Sequence, residues 1–238
     1  MGRELPWTCV KQVAGALVKE IRYWRAPNRK GDLPSVRKAK NDISAQIRNS
    51  CFARTPQDRL ELRLALMGYQ STFYTLTFSS LHLPDTYRQV QRKWKSFLRA
   101  MKRHRNRDFD YIYAIEGKHG DHRFHIHLIV RNNDFTKREI EYLWGWGMAD
   151  AQPLMQGKDA TFRDRAEYLV KEKRDGVVVP TGARYWSCSR SLNAKLPPPV
   201  KSKAATGDII IPPGARSVRP YRTDNAFGAY RYVTYIKP

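Results

Sequence analysis

Acidic residues are scarce in this chain. In 238 residues, 22 Asp and Glu face 44 Lys and Arg, for a formal net charge of +22 and a pI near 10.2. Such an imbalance is expected of a protein that binds a polyanion, most simply nucleic acid. The excess is spread along the chain, so a basic disordered tail does not account for it. A membrane surface is the alternative polyanion, but no sustained basic amphipathic anchor is present. Cysteine is equally sparse. Cys9, Cys51 and Cys188 are odd in number and far apart, which excludes a disulfide framework and a CxxC metal site and fits a reducing cytosol. No apolar run reaches the length of a membrane span, and the stretch from Met1 to Trp7 lacks the apolar centre of a secretory signal. The expectation is a cytoplasmic protein with no membrane partner. A Gly-Lys-Ser/Thr phosphate loop is also missing, so no nucleotide-driven motor is expected, and there is no repeat or low-complexity tract.

Against these absences stands enough apolar material for a proper core. Hydrophobic residues make up 41 % and aromatics 12 %, which argues against global disorder. Val10, Val13, Ala14, Leu17, Ile21 and Trp24 form a helical stripe over 8–25. Further helices are predicted over 35–52 and 56–68, the latter ending at Gly68. Residues 1–70 thus read as a basic helical N-terminal extension, either a solvated face or a grip on DNA. Ser71 to Phe78 alternates and is rich in β-branched and aromatic residues, a strand. Pro84 opens a helix to about His104 with Val90, Trp94, Phe97, Leu98 and Met101 inward. Later come a helix over 136–144 with Thr136 as N-cap, a strand over 148–154, a helix over 161–173 and a strand over 185–189. Proline pairs mark linkers at 196–199 and 212–213, and a weak final strand spans 229–236. This order describes an α+β fold: a mainly antiparallel central sheet, helices on one face, over residues 71–197, with a C-terminal extension over 198–238.

The stretch Tyr111 to Val130 is the most informative. Two period-two segments flank a polar turn containing Gly120, a hairpin signal. A turn over Lys118–Asp121 pairs Gly117 with His122 and Ala114 with His125. His125 and His127 then share a face with Glu116, because residues two apart on a strand point the same way. Phe109, Tyr111, Tyr113, Ile115, Phe124, Ile126, Leu128 and Val130 form the opposite, core face. Two imidazoles and a carboxylate with open positions suit a divalent cation. One rival is a Zn²⁺ site within the run His119, His122, His125, His127; the other is a set of structural histidines without metal.

The helix over 161–173 carries Tyr168 and Lys171 three apart and hence on one face. Taken together, Phe73-Tyr-Thr-Leu-Thr-Phe78, Phe124-His-Ile-His-Leu-Ile129 and Tyr168-Leu-Val-Lys171 resemble, in order and rough spacing, the three motifs of HUH endonucleases. These are rolling-circle replication initiators and their relatives. The chain looks most like the replication-associated proteins of single-stranded DNA phages and mobile elements, with further likeness at Leu143 to Met148 and Arg184 to Leu192. The resemblance covers residues 71 to 197. It implies that Glu116, His125 and His127 bind a divalent metal, Mn²⁺ or Mg²⁺, that Tyr168 is the nucleophile, and that Lys171 is the motif lysine. It implies nicking and rejoining of single-stranded or melted origin DNA through a 5′-phosphotyrosine, with polymerase and helicase supplied by a bacterial host. Many relatives carry a second tyrosine where this chain has Glu172, so a single-tyrosine enzyme is expected, with Tyr142 and Tyr185 as substitutes under another alignment. Lys118, Arg123, Arg184 and Arg190 are candidate DNA contacts. Trp144 and Trp146 are candidate stacking platforms, with core packing as the alternative. Two other readings remain: a relaxase or transposase of the same superfamily, and a non-catalytic basic nucleic-acid-binding module.

Overall fold

Two antiparallel five-stranded sheets organise the chain. The computed structural model describes residues 7–49, 55–117, 123–155, 161–171 and 184–238. It divides into two units, residues 1–59 with 197–238, and residues 60–196. The fold is α+β, as the element order implies.

The terminal unit departs from expectation. Residues 8–25 are not a helix but a hairpin, β1 (Trp7–Ala14) and β2 (Leu17–Arg25). Gly15, at φ 56°, opens a two-residue turn between the paired Ala14 and Leu17. The apolar residues satisfy a 3.6-residue spacing by coincidence. Glycine inside a helix costs about 1 kcal/mol relative to alanine, and Thr8, Val10, Val13, Val18 and Ile21 favour a pleated surface. Helix α1 (Pro34–Asn49) follows, and α2 (Pro56–Met67) falls mostly within residues 60–196; both are close to their expected bounds. The C-terminal segment supplies β8 (Val200–Ala204), β9 (Arg216–Asn225) and β10 (Gly228–Ile236), and the expected final strand is β10. The sheet order is β8-β1-β2-β10-β9, so segments read as separate extensions share one sheet. Ile43 and Ile47 of α1 pack on Ile21 and Tyr230 across one of its faces.

The second unit contains β3 (Ser71–Thr77), α3 (Tyr87–Arg105), β4 (Tyr111–Glu116), β5 (His125–Arg131), α4 (Lys137–Trp144), β6 (Ala149–Pro153), α5 (Phe162–Leu169), β7 (Ser187–Cys188) and α6 (Arg190–Ala194). Its sheet order is β6-β3-β5-β4-β7. One face carries Tyr74, Leu76, Ile115, Ile126, Leu128 and Val130. These pack against Val90, Trp94, Phe97 and Met101 of α3 and Ile140 and Trp144 of α4. Both helices start at capping boxes, Thr86 with Gln89 and Thr136 with Glu139, and α4 stops at the left-handed Gly145, so reciprocal side-chain bonds satisfy the otherwise orphaned first-turn N–H groups. With α3 and α4 on that face, the opposite face carries Thr75, Thr77, Glu116, His125 and His127 beside the buried Phe73, Ile112 and Ile129. Among the described residues no helix is long and apolar enough to cross a membrane.

The hairpin register differs from expectation by two residues. Glu116 pairs with His125 and Ala114 with His127. The chain leaves β4 at Gly117, at φ 96°, where a Cβ would lie 2.6 Å from the Arg123 carbonyl oxygen. The connection is therefore longer than a four-residue turn. An even shift conserves the faces, so the expected partition of core and site residues survives.

Candidate metal and tyrosine site

On the polar face of this sheet, His125 and His127 stand two apart on β5. Glu116 of β4 lies directly opposite His125, and Thr75 and Thr77 of β3 lie opposite His127 and His125. Glu116 and His127 are buried, 3 % and 1 % exposed. His125 Nε2 is 3.1 Å from Glu116 Oε2, and His127 Nε2 is 3.3 Å from Glu116 Oε1. Each imidazole is held at its other nitrogen. His125 Nδ1 is 3.3 Å from the Arg123 carbonyl oxygen, and His127 Nδ1 is 3.3 Å from Thr75 Oγ1. A proton on His125 Nδ1, donated to the Arg123 carbonyl, leaves the Nε2 lone pair aimed at the centre of the cluster.

Ligand atoms of Glu116, His125 and His127 all lie within 4.8 Å of one another, a group that could hold a metal ion. The polar-atom inventory fits a cation. Among the described residues, the buried Glu116 Oε1 and His127 Nε2 have no hydrogen-bond partner. They approach each other at an ion-pair distance but without hydrogen-bond geometry. Unpartnered buried atoms of this kind are costly, and a shared cation would satisfy both. Burial alone would raise the Glu116 carboxyl, but His125, His127 and Lys171 outweigh it and hold it far below the ordinary carboxylate range. For His125 burial is overcome by Glu116 and the imidazole is pushed up; for His127 burial prevails and the ring is pushed down toward its neutral, ligating form.

Helix α5 brings the tyrosine to this cluster. Thr161 caps its start by accepting from the Asp164 N–H, and Ala166, Leu169 and Val170 bury its inner side. Tyr168 remains 43 % exposed. Its ring centroid is 5.6 Å from that of His127 and 6.2 Å from that of Phe73. Lys171 Nζ lies 2.8 Å from Glu116 Oε2 and 4.5 Å from the centre of the Tyr168 ring. Burial would lower the Lys171 ammonium, but the Glu116 carboxylate prevails and holds it above its ordinary value. Lys171 is therefore a cation beside the phenol and not a neutral base.

Two neighbours escaped the sequence reading. Phe73 stacks on His127 with centroids 4.9 Å apart. Arg165 lies over Phe73, its guanidinium carbon 4.4 Å from the ring centre, while its Nε donates to the Leu154 carbonyl at 3.3 Å. The available signals were spacing alone: Phe73 alternates with Thr75, and Arg165 precedes Tyr168 by one helical turn.

The structure thus brings together Glu116, His125, His127, Tyr168 and Lys171. Arg123 is exposed beside His125. Arg190 is exposed at the start of α6, and the exposed Arg184 exerts its field on Tyr113, whose side chain lies on the other face of β4. Lys118, His119, His122 and Glu172 fall outside the described residues. Tyr142 is 82 % exposed on α4, and Tyr168, not Tyr142, is in ring contact with His127. Trp144 is buried, 1 % exposed, and its indole N–H donates to the Thr77 carbonyl at 2.8 Å, so core packing accounts for it. Trp146 is half-buried against Trp144, with Lys93 Nζ 4.9 Å from its ring centre.

An antiparallel sheet with a Glu/His/His cluster on its polar face is consistent with an HUH-like fold. Residues 71–174 match the family model described as Replication-associated protein ORF2/G2P, which is consistent with a rolling-circle replication initiator. The match spans β3 to α5 and so contains the whole cluster. No curated protein and no solved structure matches the chain.

Proposed function

We propose that this replication-associated protein is a rolling-circle replication initiator that nicks and rejoins single-stranded or melted origin DNA through a covalent 5′-phosphotyrosine on Tyr168. The observation that carries this reading is the packing of Tyr168 against His127, 5.6 Å between ring centres, with Lys171 bridging to Glu116 at 2.8 Å. Glu116, His125 and His127 would hold a divalent cation, Mn²⁺ or Mg²⁺, which as a Lewis acid polarises a phosphoryl oxygen. The softer imidazole ligands favour Mn²⁺.

Tyr168 presents its phenol at the exposed rim of the site. Its oxygen forms a new bond to the scissile phosphorus, and the bond from phosphorus to the 3′-oxygen breaks. The electron pair leaves with that oxygen, which takes up a proton and becomes a free 3′-hydroxyl able to prime synthesis. The Lys171 ammonium offsets the charge on the phenol oxygen as its proton departs. Reversal of the same step reseals a strand. Among the described residues, Tyr168 is the tyrosine in ring contact with His127, which supports a single-tyrosine enzyme. Arg123, Arg184, Arg190 and Lys118 would contact DNA phosphates. Polymerase and helicase would come from a bacterial host, in whose cytoplasm the protein would act.

The test is a nicking assay on single-stranded oligonucleotides drawn from the sequence flanking the protein's own coding region. The wild-type chain should cleave with Mn²⁺, not with EDTA, and leave a 3′ end that a polymerase extends. Tyr168→Phe should lose cleavage while binding stays within about twofold. Cleavage by Tyr168→Phe would move the nucleophile elsewhere. Binding without cleavage by the wild-type chain would favour a non-catalytic module.

A further inference from the structure

Three arginines stand in a row across the terminal sheet. Arg22 of β2 pairs with Arg231 of β10, and Arg231 pairs with Arg222 of β9. Directly paired residues share a face, and neighbouring strands lie about 4.8 Å apart, so the three arginine backbone positions span roughly 10 Å on one face. Like charges directly opposite each other destabilise a sheet, so a row of three demands compensation. Two members have it. Arg22 Nε is 2.9 Å from Glu20, and Arg231 is 3.0 Å from Asp224. Arg222 is exposed and makes no hydrogen bond or ion pair among the described residues.

The row is also part of a cavity. Arg222 and Arg231 line a space of about 570 Å³ with Ile209, Ile211, Pro220 and Val233, and Asp208 is its one lining carboxylate. Its wall is anchored where Gly207 packs on the Trp7 indole, 2.8 Å from an added Cβ to ring carbon Cζ3. The Arg231 guanidinium lies 5.9 Å from the centre of the same indole and donates to the Thr223 and Tyr230 carbonyls at 3.4 and 3.3 Å. Arg231 is therefore held in place before any ligand arrives. A cavity of this size suits a nucleotide and is far too small for a duplex.

We propose that this arginine row binds the backbone of single-stranded nucleic acid, with phosphates on Arg222 and Arg231 and a base against Ile209, Ile211 and Pro220. The identity of the natural strand rests on the replication reading above; the anion site itself does not. Charge supports it: the terminal unit carries twenty Lys and Arg against seven Asp and Glu.

The test uses the full chain in the Tyr168→Phe background, so that no covalent product contributes. Binding of a fluorescein-labelled twenty-residue oligothymidylate is measured against salt, with Arg222 intact, Arg222→Gln or Arg222→Glu. Losing one phosphate contact should reduce the salt slope by about 0.7 and weaken binding several-fold, more for Arg222→Glu. Melting is the second readout. Pyrophosphate should raise the melting temperature of the parent more than that of Arg222→Gln. Without the anion, Arg222→Gln should melt at or above the parent, because a like-charge contact has gone. Unchanged slope and affinity in Arg222→Glu would overturn the proposal. So would pyrophosphate stabilisation without any oligonucleotide binding, which would leave only a small-anion site. A wild-type chain that never nicks, yet binds through Arg222, would overturn the nuclease reading and leave this site standing.

Discussion

At the scale of single residues, the Glu116 carboxylate is contested. Lys171 Nζ sits 2.8 Å from it, and both imidazoles turn Nε2 toward it. An ammonium in that place competes with a divalent cation for the same oxygens. Lys171→Met should therefore bind Mn²⁺ a few-fold more tightly, measured by calorimetry, while forming the DNA adduct more slowly. Weaker Mn²⁺ binding would show that the lysine supports the metal and does not oppose it. Thr75 acts through His127, whose Nδ1 it meets at 3.3 Å. Partners that orient a ligating imidazole typically contribute 10–100-fold to metal affinity, so the isosteric Thr75→Val should cost about tenfold; unchanged affinity would make Thr75 a strand residue only. His125, His127 and Glu116 were legible because a strand of period two leaves few choices of face. Arg165 and Phe73 were not, since a cation over an aromatic ring requires knowing that α5 lies over β3.

At the scale of elements, the site depends on close backbone approaches and helix caps. Gly147 follows α4 where Ser79 donates its N–H to the Trp146 carbonyl at 2.9 Å. A Cβ there would be 2.8 Å from Ser79 N and closer still to the Thr77 carbonyl oxygen. Gly147→Ala should cost about 2 kcal/mol or more of stability, read by denaturant unfolding; a neutral effect would mean that this backbone yields easily. Glu139 closes the α4 capping box and also meets His104 and Arg105. Backbone and side-chain bonds from Thr136, with His104, pull its carboxyl down to about 2. A depressed carboxyl contributes stability that is complete above its unfolded value near ~4.3 and lost as pH falls through the folded value. Wild-type stability should therefore decline between about pH 4.5 and 2 partly through this group. Glu139→Gln should melt lower than wild type at pH 7, with the gap closing as pH falls through that window. A gap constant with pH would exclude the linkage. The α4 cap at Thr136 was readable in the sequence, whereas the cap of α3 is Thr86 and not the expected opening at Pro84. The hairpin register was not, since the Gly117 bend lengthens the connection without altering strand parity.

At the scale of the whole molecule, legibility falls off away from the cluster. The second unit unfolds from the sequence almost element by element, because β3, α3, β4 and β5 each bury one continuous face. The terminal unit does not. Its first hairpin imitates a helical stripe, and its sheet joins β1 (from Trp7) to β8 (from Val200) and β2 (from Leu17) to β10 (from Gly228), pairings that no local pattern announces. The Arg22–Arg231–Arg222 row is hidden for the same reason, being adjacent only across three strands. The net charge of +22 predicts steeply salt-dependent DNA binding, with affinity falling by orders of magnitude between about 50 and 200 mM salt if six or more phosphates are engaged; a flat salt dependence in filter binding would contradict a phosphate-led interface. The central claim is tested most directly by incubating the protein with Mn²⁺ and single-stranded DNA from its own coding region's flanks, isolating any species that survives denaturation, and mapping the modified peptide by mass spectrometry. The expected product is a nucleotide remnant joined through its 5′-phosphate to Tyr168. A remnant on any other residue, or DNA cleaved with no protein attached, would contradict it.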